Sequence, residues 1–291
     1  MWILKKLFTR PLSLVGFVLL FAFIVIAVIA PWIAPPEFPH QPYRIPRDGY
    51  WAEPKPPSAE HILGTAEGQY DIFYGVVWGT RTAFRVGLIV TLSGCVIGMV
   101  IGSIAAYYGG LIDEILMRVV DVFYTLPYLV AAMVLAVVLG RSLESSMIAL
   151  VCFTWMGYAR VIRSEILRIR EIDYTHAARA LGASNVRILV RHIIPNALYP
   201  VFVMVSMNIG SMVIAVSTLS FLGLGAQLGY ADWGQMISLA RNWMLGSAGD
   251  AAAYWFTVVC PGVPIVLFVL AWNLVGDALR DVLDPRMRGS R

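Results

Sequence analysis

One run of 23 residues determines the class of this protein: Val86-Gly-Leu-Ile-Val-Thr-Leu-Ser-Gly-Cys-Val-Ile-Gly-Met-Val-Ile-Gly-Ser-Ile-Ala-Ala-Tyr-Tyr108. It carries no charged side chain, and as a helix it spans about 34 Å, enough to cross the roughly 30 Å of hydrocarbon in a bilayer. Small residues recur at every fourth position, on one helical face: Gly94, Gly98, Gly102 and Ala106. Because small residues let helices approach closely in lipid, this face predicts tight packing, either within a bundle or against a partner.

The composition of the whole chain is also that of a membrane protein. Of its 291 residues, 59% are hydrophobic and 14% are charged, and the mean hydropathy is +0.73. A soluble domain of this size would have too few charged side chains to cover its surface, and a disordered chain would be less apolar. The net charge of +4 comes from cations that lie between apolar runs, which is not the pattern of a nucleic-acid-binding protein.

Six stretches are long and apolar enough to predict membrane helices. They are Leu14–Ile33, Val86–Tyr108, Val119–Gly140, Ser146–Tyr158, Ala197–Leu222 and Tyr254–Val275. The fourth is short, and we expect its helix to continue through Ala159–Ile169. The first is longer than the core of a secretory signal, and Pro31 stands where cleavage would be needed, so we interpret it as a retained anchor. The sequence therefore predicts an all-α integral membrane protein with six transmembrane helices.

The distribution of arginine and lysine predicts that both termini are cytosolic. With the N-terminus inside, 15 of the 22 cations lie on the inner side and 7 on the outer side, as expected when cytosolic loops carry the excess. The N-terminal contribution comes from Lys5, Lys6 and Arg10.

The patterns of an enzyme active site are missing from the sequence. The chain has four histidines, His40, His61, His176 and His192, and three lysines, Lys5, Lys6 and Lys55. The histidines are predicted in loops and never recur at i, i+4 with a carboxylate, so we expect no metal site. No lysine follows a glycine, as a phosphate-binding loop requires, so any ATP must be bound by another chain.

Carboxylates inside the spans would indicate a proton or ion relay. Asp121 is near the inner end of the third span and Asp277 lies just beyond the sixth, and each has a nearby arginine, Arg118 and Arg280 respectively. We expect interfacial ion pairs at both places, and a proton path through Asp121 is the alternative.

The most charged part of the chain is the internal loop of residues 160–196. Its first part predicts an extension of the fourth helix, followed by a short helix that ends at Gly182, a residue suited to a helix C-terminus. Ser184 can cap a second helix, which Pro195 is expected to end. This two-helix elbow has a small, Ala-rich crest that suits docking into the groove of another protein. An ordinary basic loop at the membrane surface is the alternative.

Several motifs within and beyond this loop resemble those of the permeases of ABC importers. His176-Ala-Ala-Arg-Ala-Leu-Gly182 and Ile193-Ile-Pro195-Asn196 are similar to the EAA loop of these permeases. Further matches are His61-Ile-Leu-Gly-Thr65, Tyr158-Ala-Arg160, Leu219-Ser-Phe-Leu-Gly-Leu-Gly225, Trp233-Gly234, Pro261-Gly262 and the stretch from Asn273 to Arg286. Taken in order along the chain, they resemble the second permease subunit, the C-type, of bacterial dipeptide, oligopeptide and nickel importers.

This resemblance implies a type I ABC importer transmembrane fold and a division of the chain into three parts. Residues 1–33 would be a cytosolic tail and a peripheral first membrane helix. Residues 34–85 would be an external Pro-rich loop and an interfacial helix, since the aromatic residues of Tyr70–Phe84 favour the membrane surface. Residues 86–291 would be a five-helix translocation domain with the cytosolic coupling loop, residues 160–196, and a cytosolic C-terminal tail.

The resemblance also implies partners. A second, homologous permease would form a heterodimer with this chain in the cytoplasmic membrane of a bacterium or archaeon. One or two kinds of ABC ATPase would bind ATP and Mg, so that this chain would hold no cofactor and catalyse no reaction, and an external binding protein would deliver the ligand. The ATPases would dock on the coupling loop, through His176, Ala177, Ala178, Leu181, Gly182, Ile193, Pro195 and Asn196. The loop would then couple closure of the ATPases to alternating access.

Three positions depart from the family pattern. His176 replaces the glutamate of the EAA loop, Gln69-Tyr70 replaces a Gly-Arg pair, and Val216 replaces a glutamate. The first leaves open which ion pair the loop makes with an ATPase. The other two are consistent either with a substrate other than a short peptide or with neutral drift.

The expected substrates are di- and oligopeptides, with nickel chelates or oligosaccharides as alternatives within the same importer type. A proton-coupled secondary carrier is an alternative of another class, and it would depend on Asp121. A purely structural membrane scaffold is a third. The residues that line the substrate path are not identified by the sequence.

Overall fold

The computed structural model describes residues 11–246, residue 250 and residues 252–283. The N-terminal cations Lys5, Lys6 and Arg10 and the tail beyond residue 283 lie outside the described residues. The described elements, in chain order, are α1 (Pro11–Ile33), β1 (Thr65–Ala66), β2 (Tyr70–Asp71), α2 (Ile72–Tyr108), α3 (Gly110–Tyr124), α4 (Tyr128–Val138), α5 (Leu143–Arg170), α6 (Asp173–Ala180), α7 (Asn185–Ile188), a π-helical turn (Leu189–Ile193), α8 (Ile194–Phe221), α9 (Trp233–Leu239) and α10 (Trp255–Leu283).

The all-α membrane architecture is confirmed. Five helical segments are long and apolar enough to cross a bilayer: α1, α2, α5, the run Val186–Phe221 and α10. The pair α3 and α4 passes the same test together, which gives six spans if the pair is counted as one. Among the described residues the only paired strands form a short antiparallel hairpin, in which Thr65 faces Asp71.

Helix α2 is longer than the second span predicted from the sequence. It starts after Asp71, whose carboxylate accepts a hydrogen bond of 2.7 Å from the backbone N–H of Tyr74 and caps the helix. It then continues without a break to Tyr108, because no proline or other helix breaker interrupts it. The predicted interfacial helix Tyr70–Phe84 is therefore wrong as a separate element. Its aromatic residues, such as Trp78, are buried in the core of the bundle.

The row of small residues on α2 lies against α5. A Cβ atom added to Gly98 would stand 2.4 Å from the carbonyl oxygen of Trp155, and one added to Gly102 would stand 2.2 Å from the side chain of Ile162. Gly94 faces Thr154 in the same way. Ala106 belongs to the buried cluster that includes Ile162. Of the two alternatives for this face, the structure therefore contains packing within the chain, with α2 and α5 side by side and parallel.

The predicted third span, Val119–Gly140, is wrong as a single straight helix. Helices α3 and α4 replace it and are bent by 84° relative to each other. The break falls at Thr125–Pro127, because Pro127 has no N–H to donate to the preceding turn and its ring disfavours helical geometry at Leu126.

The fourth predicted span does continue beyond the apolar run, and α5 ends only at Arg170, which confirms that expectation. The expected end at Pro195 is wrong. Helix α8 includes Pro195 in its first turn and extends to Phe221, immediately after the π-helical turn. In that turn the N–H of Ile194 bonds to the carbonyl of Leu189, a wider spacing that accommodates a residue without an N–H.

Helix α1 packs along α10 in the antiparallel direction, since Gly16 lies against Leu274 and Phe23 against Phe268, with ring centroids 5.3 Å apart.

Two loops contact each other at the end of the bundle where α8 ends. The N–H of Ile45 bonds to the carbonyl of Gly229 at 2.8 Å, so the loop before α2 is fixed to the loop after α8. The hairpin and α9 in this region were not predicted, because elements of two to seven residues give too little periodicity.

Replacement of Gly98 by alanine is expected to destabilise the bundle, because the added methyl group meets the α5 backbone at 2.4 Å. Overpacking of this kind costs about 1–3 kcal/mol. Gly262→Ala is the matched control, since nothing lies within 4 Å of a Cβ at Gly262 in α10. Thermal unfolding in detergent should give a lower midpoint for Gly98→Ala only. Equal midpoints for the two variants would contradict the close approach of α2 and α5.

Candidate functional site

The charged loop between α5 and α8 forms a two-helix elbow at one end of the bundle. Helix α6 ends in a Schellman motif, in which the N–H of Ala183 bonds to the carbonyl of Ala178 at 3.1 Å and the N–H of Gly182 to that of Arg179 at 3.0 Å. Gly182 has φ +80°, a conformation that residues with a Cβ rarely adopt. Ser184 then accepts a hydrogen bond from the N–H of Arg187 and caps α7, as expected.

Two side chains of the elbow, those of Thr175 and Ala178, anchor it to the neighbouring helices. Thr175 is fully buried, and its hydroxyl donates a 3.1 Å hydrogen bond to the carbonyl of Ile169 at the end of α5. Ala178 packs against the buried cluster that contains Ile169, Ile188 and Ile193. The elbow is therefore fixed to α5 and to the start of α8.

The outer surface of the elbow is apolar and uncovered. We call it the crest, and its main residues are Tyr174, Ala177, Leu181, Val186 and Val190. Leu181 is 89% exposed, and Val186 and Val190 are both more than half exposed. The same segment also carries three exposed arginines, Arg179, Arg187 and Arg191. An exposed apolar patch accompanied by charged residues is typical of a protein interaction site.

The residues predicted for docking divide into two groups. His176, Ala177, Leu181 and Gly182 lie together on the exposed side of the elbow, whereas Ala178 is half-buried and Ile193 is buried. Pro195 and Asn196 are exposed at the start of α8, and the Asn196 amide donates to the carbonyl of His192 at 2.7 Å. The placement of His176 in a loop is wrong, since it lies within α6, 3.9 Å from the carboxylate of Glu171. Val186 and Val190 were missed.

Two ion pairs join α3 to the part of α5 that leads into the elbow. Arg163 forms a bidentate pair with Asp113, with both N–O distances at 2.5 Å. Arg160, one turn earlier, bonds to Asp121 at 2.5 Å and stacks on the ring of Tyr124 at 3.9 Å. We call these contacts the α3–α5 clamp.

The clamp corrects the predicted pairing of Asp121 with Arg118. Arg118 instead lies 3.9 Å from Glu114, one turn away on the same helix. The spacing of Arg160 and Arg163 on one face of α5 was a usable signal in the sequence. Their partners on α3 were not predictable, because the break at Pro127 sets the direction of α3.

The part of the chain that is described contains no cluster of metal ligands. No group of three or more His, Cys, Asp or Glu residues there is placed to hold a metal ion. Asp232 is a buried carboxyl group before α9, and burial raises its pKa. It accepts a 2.9 Å hydrogen bond from the N–H of Gln235 and so caps α9.

Comparison with known families identifies two matches. Residues 98–289 match the family described as binding-protein-dependent transport system inner membrane component. Residues 1–57 match the N-terminal TM domain of oligopeptide transport permease C.

Three curated proteins illustrate the relatives of this chain. It is 35% identical over 290 residues to the dipeptide transport system permease protein DppC of Alkalihalophilus pseudofirmus, covering 98% of this chain and 89% of the relative. It is 35% identical over 290 residues to the probable D,D-dipeptide transport system permease protein DdpC of Escherichia coli, covering 100% and 92%. It is 37% identical over 232 residues to the glutathione transport system permease protein GsiD of Pectobacterium atrosepticum, covering 80% and 75%.

Among solved structures, an inward-facing conformation of the MetNI methionine ABC transporter is similar in fold. The TM-score is 0.59 at 17% identity, and the alignment covers 72% of this chain and 97% of that chain. The fold is therefore that of the transmembrane domain of a type I ABC importer.

The contribution of the clamp can be measured by a double-mutant cycle on Arg163→Gln and Asp113→Asn. We expect a coupling free energy of about 1–3 kcal/mol, since both groups are charged and mostly shielded from solvent. The control cycle uses Arg85 and Glu144, an exposed pair between α2 and α5 at 3.1 Å, with an expected coupling of about 0.5 kcal/mol. Unfolding in mixed micelles gives both values, and equal coupling in the two cycles would contradict the clamp.

Proposed function

Because this chain belongs to the family of binding-protein-dependent transport system inner membrane components, we propose that it is the permease subunit of an ATP-driven importer of di- and oligopeptides. It is a multi-pass protein of the inner membrane, and its family works with an ATPase and a substrate-binding protein. The crest carries this proposal, because it is an uncovered apolar surface at the position where the family resemblance expects the ATPase to dock.

We propose the finer arrangement as follows. Both termini and the elbow face the cytosol of a bacterium or archaeon, and this chain forms a heterodimer with a second, homologous permease. One or two kinds of ABC ATPase bind ATP and Mg, and this chain itself is not an enzyme. The excess of cations on the side of the elbow supports this orientation.

The proposed coupling uses the rigidity of the elbow. When the ATPases close, they displace the crest, and the buried contacts of Thr175 and Ala178 carry the movement to α5 and α8. The clamp adds α3 to the moving unit, since Arg160 and Arg163 hold its two aspartates. Helices α2 and α4 also belong to this unit, since Gly98 lies against the α5 backbone and Ala132 and Ala136 pack in one buried cluster with Leu150 of α5. Movement of this unit relative to the second permease would then open the path alternately to the two sides.

Peptides are the proposed substrates because the similar proteins are named for dipeptide, D,D-dipeptide and glutathione transport. Two departures from the family pattern have structural explanations. The amide of the buried Gln69 donates to the carbonyl of Trp51 at 3.2 Å, so this side chain organises the external loop. Val216 is 1% exposed in an apolar cluster, where a glutamate would be costly. Neither position requires a different substrate, and nickel chelates and oligosaccharides remain the alternatives.

A proton-coupled carrier is less consistent with the contacts of Asp121. Its carboxylate is paired with Arg160 and belongs to the clamp, whereas a proton relay needs a carboxylate that is free to change its charge.

Mild-detergent purification of the tagged chain from its native membrane tests the proposal. We expect a second permease of similar length and one or two ATPase chains with phosphate-binding loops to co-purify, and reconstituted uptake to require ATP and the binding protein. A chain that purifies alone, even after cross-linking, or uptake driven by a proton gradient without ATP, would contradict the proposal.

Leu181→Glu is expected to weaken ATPase docking without unfolding the chain, since Leu181 is 89% exposed before assembly. Loss of a buried leucine contact of about 1.5–3 kcal/mol corresponds to roughly a 10–100-fold weaker affinity. Leu245→Glu is the matched control, because Leu245 is 90% exposed beyond α9, at the other end of the bundle. Quantitative co-purification of the ATPases measures both. Equal recovery with the two variants would rule out docking on the crest.

Substitution of Gly182 separates backbone strain from steric exclusion. No described residue lies within 4 Å of a Cβ at Gly182, so Gly182→Asn, which tolerates φ +80°, should retain most of the uptake. Gly182→Arg should leave the chain inserted but abolish ATP-dependent uptake, because its long side chain would occupy the surface that the ATPase contacts. Wild-type uptake by Gly182→Arg would refute the role of this turn in coupling.

A further inference from the structure

A concave surface lies at the end of the bundle opposite the elbow. It is a cleft of about 810 Å³ between residues 40–47 and residues 227–230. We call it the arginine cleft, and its main lining residues are His40, Tyr43, Arg44, Arg47, Tyr70 and Tyr230. It is distinct from the crest, because the 28 residues of α8 separate the two.

The walls of the arginine cleft are held in place by backbone and aromatic contacts. The N–H of Ala231 bonds to the carbonyl of Tyr43 at 2.7 Å, next to the bond between Ile45 and Gly229. The rings of Tyr43 and Tyr230 stack across these segments with centroids 5.3 Å apart and nearly parallel planes. The cleft is therefore a preformed surface that requires little ordering when a partner binds.

Both arginines of the cleft are positioned by aromatic rings and not by carboxylates. The guanidinium of Arg44 lies 4.6 Å from the centre of the Phe38 ring. That of Arg47 lies 4.1 Å from the centre of the Tyr70 ring and donates a hydrogen bond to the Tyr70 hydroxyl. Among the described residues, neither arginine has a carboxylate oxygen within 4.0 Å. Their charge is therefore held in a fixed position without being neutralised there.

Of the six acidic side chains between α1 and α2, four already have other partners, and Glu37 and Glu60 form no ion pair with either arginine. Lys55 lies 2.6 Å from Asp48 and lowers the pKa of that carboxyl group by hydrogen bonding. The remaining contacts join Asp71 to His61 at 2.7 Å, Glu53 to the Tyr254 hydroxyl at 2.7 Å and Glu67 to the Trp243 indole at 2.8 Å. The loop thus pairs four of its acids with other groups and presents two cations in the cleft.

We propose that the arginine cleft receives an acidic segment of the external substrate-binding protein, with Arg44 and Arg47 each binding a carboxylate of that segment. This inference rests on the proposed function, which supplies such a partner on the side opposite the elbow. Arginine and tyrosine are the residue types that dominate the binding energy of protein interfaces, and the cleft combines both around a partly apolar floor. Its volume accommodates a stretch of polypeptide with several side chains.

The test uses the complete transporter, with both permeases and the ATPases, in nanodiscs of neutral lipid. The rate of ATP hydrolysis is measured against the concentration of the peptide-loaded binding protein for the wild type and for Arg44→Glu/Arg47→Glu. We expect the half-saturating concentration to rise at least about tenfold at low salt, and the difference to shrink as salt screens the charges. The rate without binding protein should not change.

Arg141→Glu is the control, since Arg141 is an exposed arginine between α4 and α5, outside the cleft and on the same side by topology. It should leave the half-saturating concentration unchanged. In addition, a photo-crosslinking residue at Leu228, which lines the cleft and is 66% exposed, should join this chain to the binding protein, whereas one at Arg141 should not.

Each other outcome overturns the proposal. An unchanged half-saturating concentration in the double variant excludes the cleft from docking. A change only in the peptide concentration required would assign the cleft to the ligand, and an effect that appears only with anionic lipid would assign it to headgroups. Failure of the proposed function is distinguishable, because the wild-type chain would then lack ATPases or show no stimulation by the binding protein.

Discussion

The close approach of α2 and α5 is the contact on which the rest of the structure depends. A bilayer offers no hydrophobic driving force between helices, so two backbones must come near enough to gain van der Waals contact along their length. The row from Gly94 to Ala106 makes this possible, and at Gly98 there is no room even for a methyl group. Helix α5 is therefore fixed in the bundle from Thr154 to Ile162, and its last two turns lead from that support to the elbow.

The elbow and the clamp extend this fixed core in two directions. Thr175 and the isoleucine cluster attach α6 and α7 to the end of α5, while Arg160 and Arg163 attach α3 to its side. Although α3 and α4 diverge by 84°, α4 returns to pack on α5 through Ala132 and Ala136, so the helices around α5 form one connected unit. Such a unit would suit alternating access, because a displacement of the elbow would move it as a rigid body.

The sequence predicted the features that depend on local chemistry. Long apolar runs identified the spans, the small-residue row identified the packed face of α2, and Gly182 with Ser184 identified the turn and cap of the elbow. It did not predict features set by distant contacts. The burial of Trp78 follows from the position of α2 among other helices, and the pairing of Asp121 with Arg160 follows from the direction of α3 after a break. The break at Pro127 was not predicted, and the predicted helix end at Pro195 is wrong, because a π-helical turn there accommodates a residue without an N–H.

The exposure of Leu181 has a consequence for the subunit before it is assembled. A leucine side chain that stays in water forgoes about 2 kcal/mol of burial energy, and neighbouring Val186 and Val190 add to this unfavourable surface. A copy made in excess of its partners therefore exposes this apolar surface to chaperones and proteases until it is assembled. On the proposed function, the surface that docks the ATPases would also limit the lifetime of unassembled copies, and so favour balanced stoichiometry in the cell.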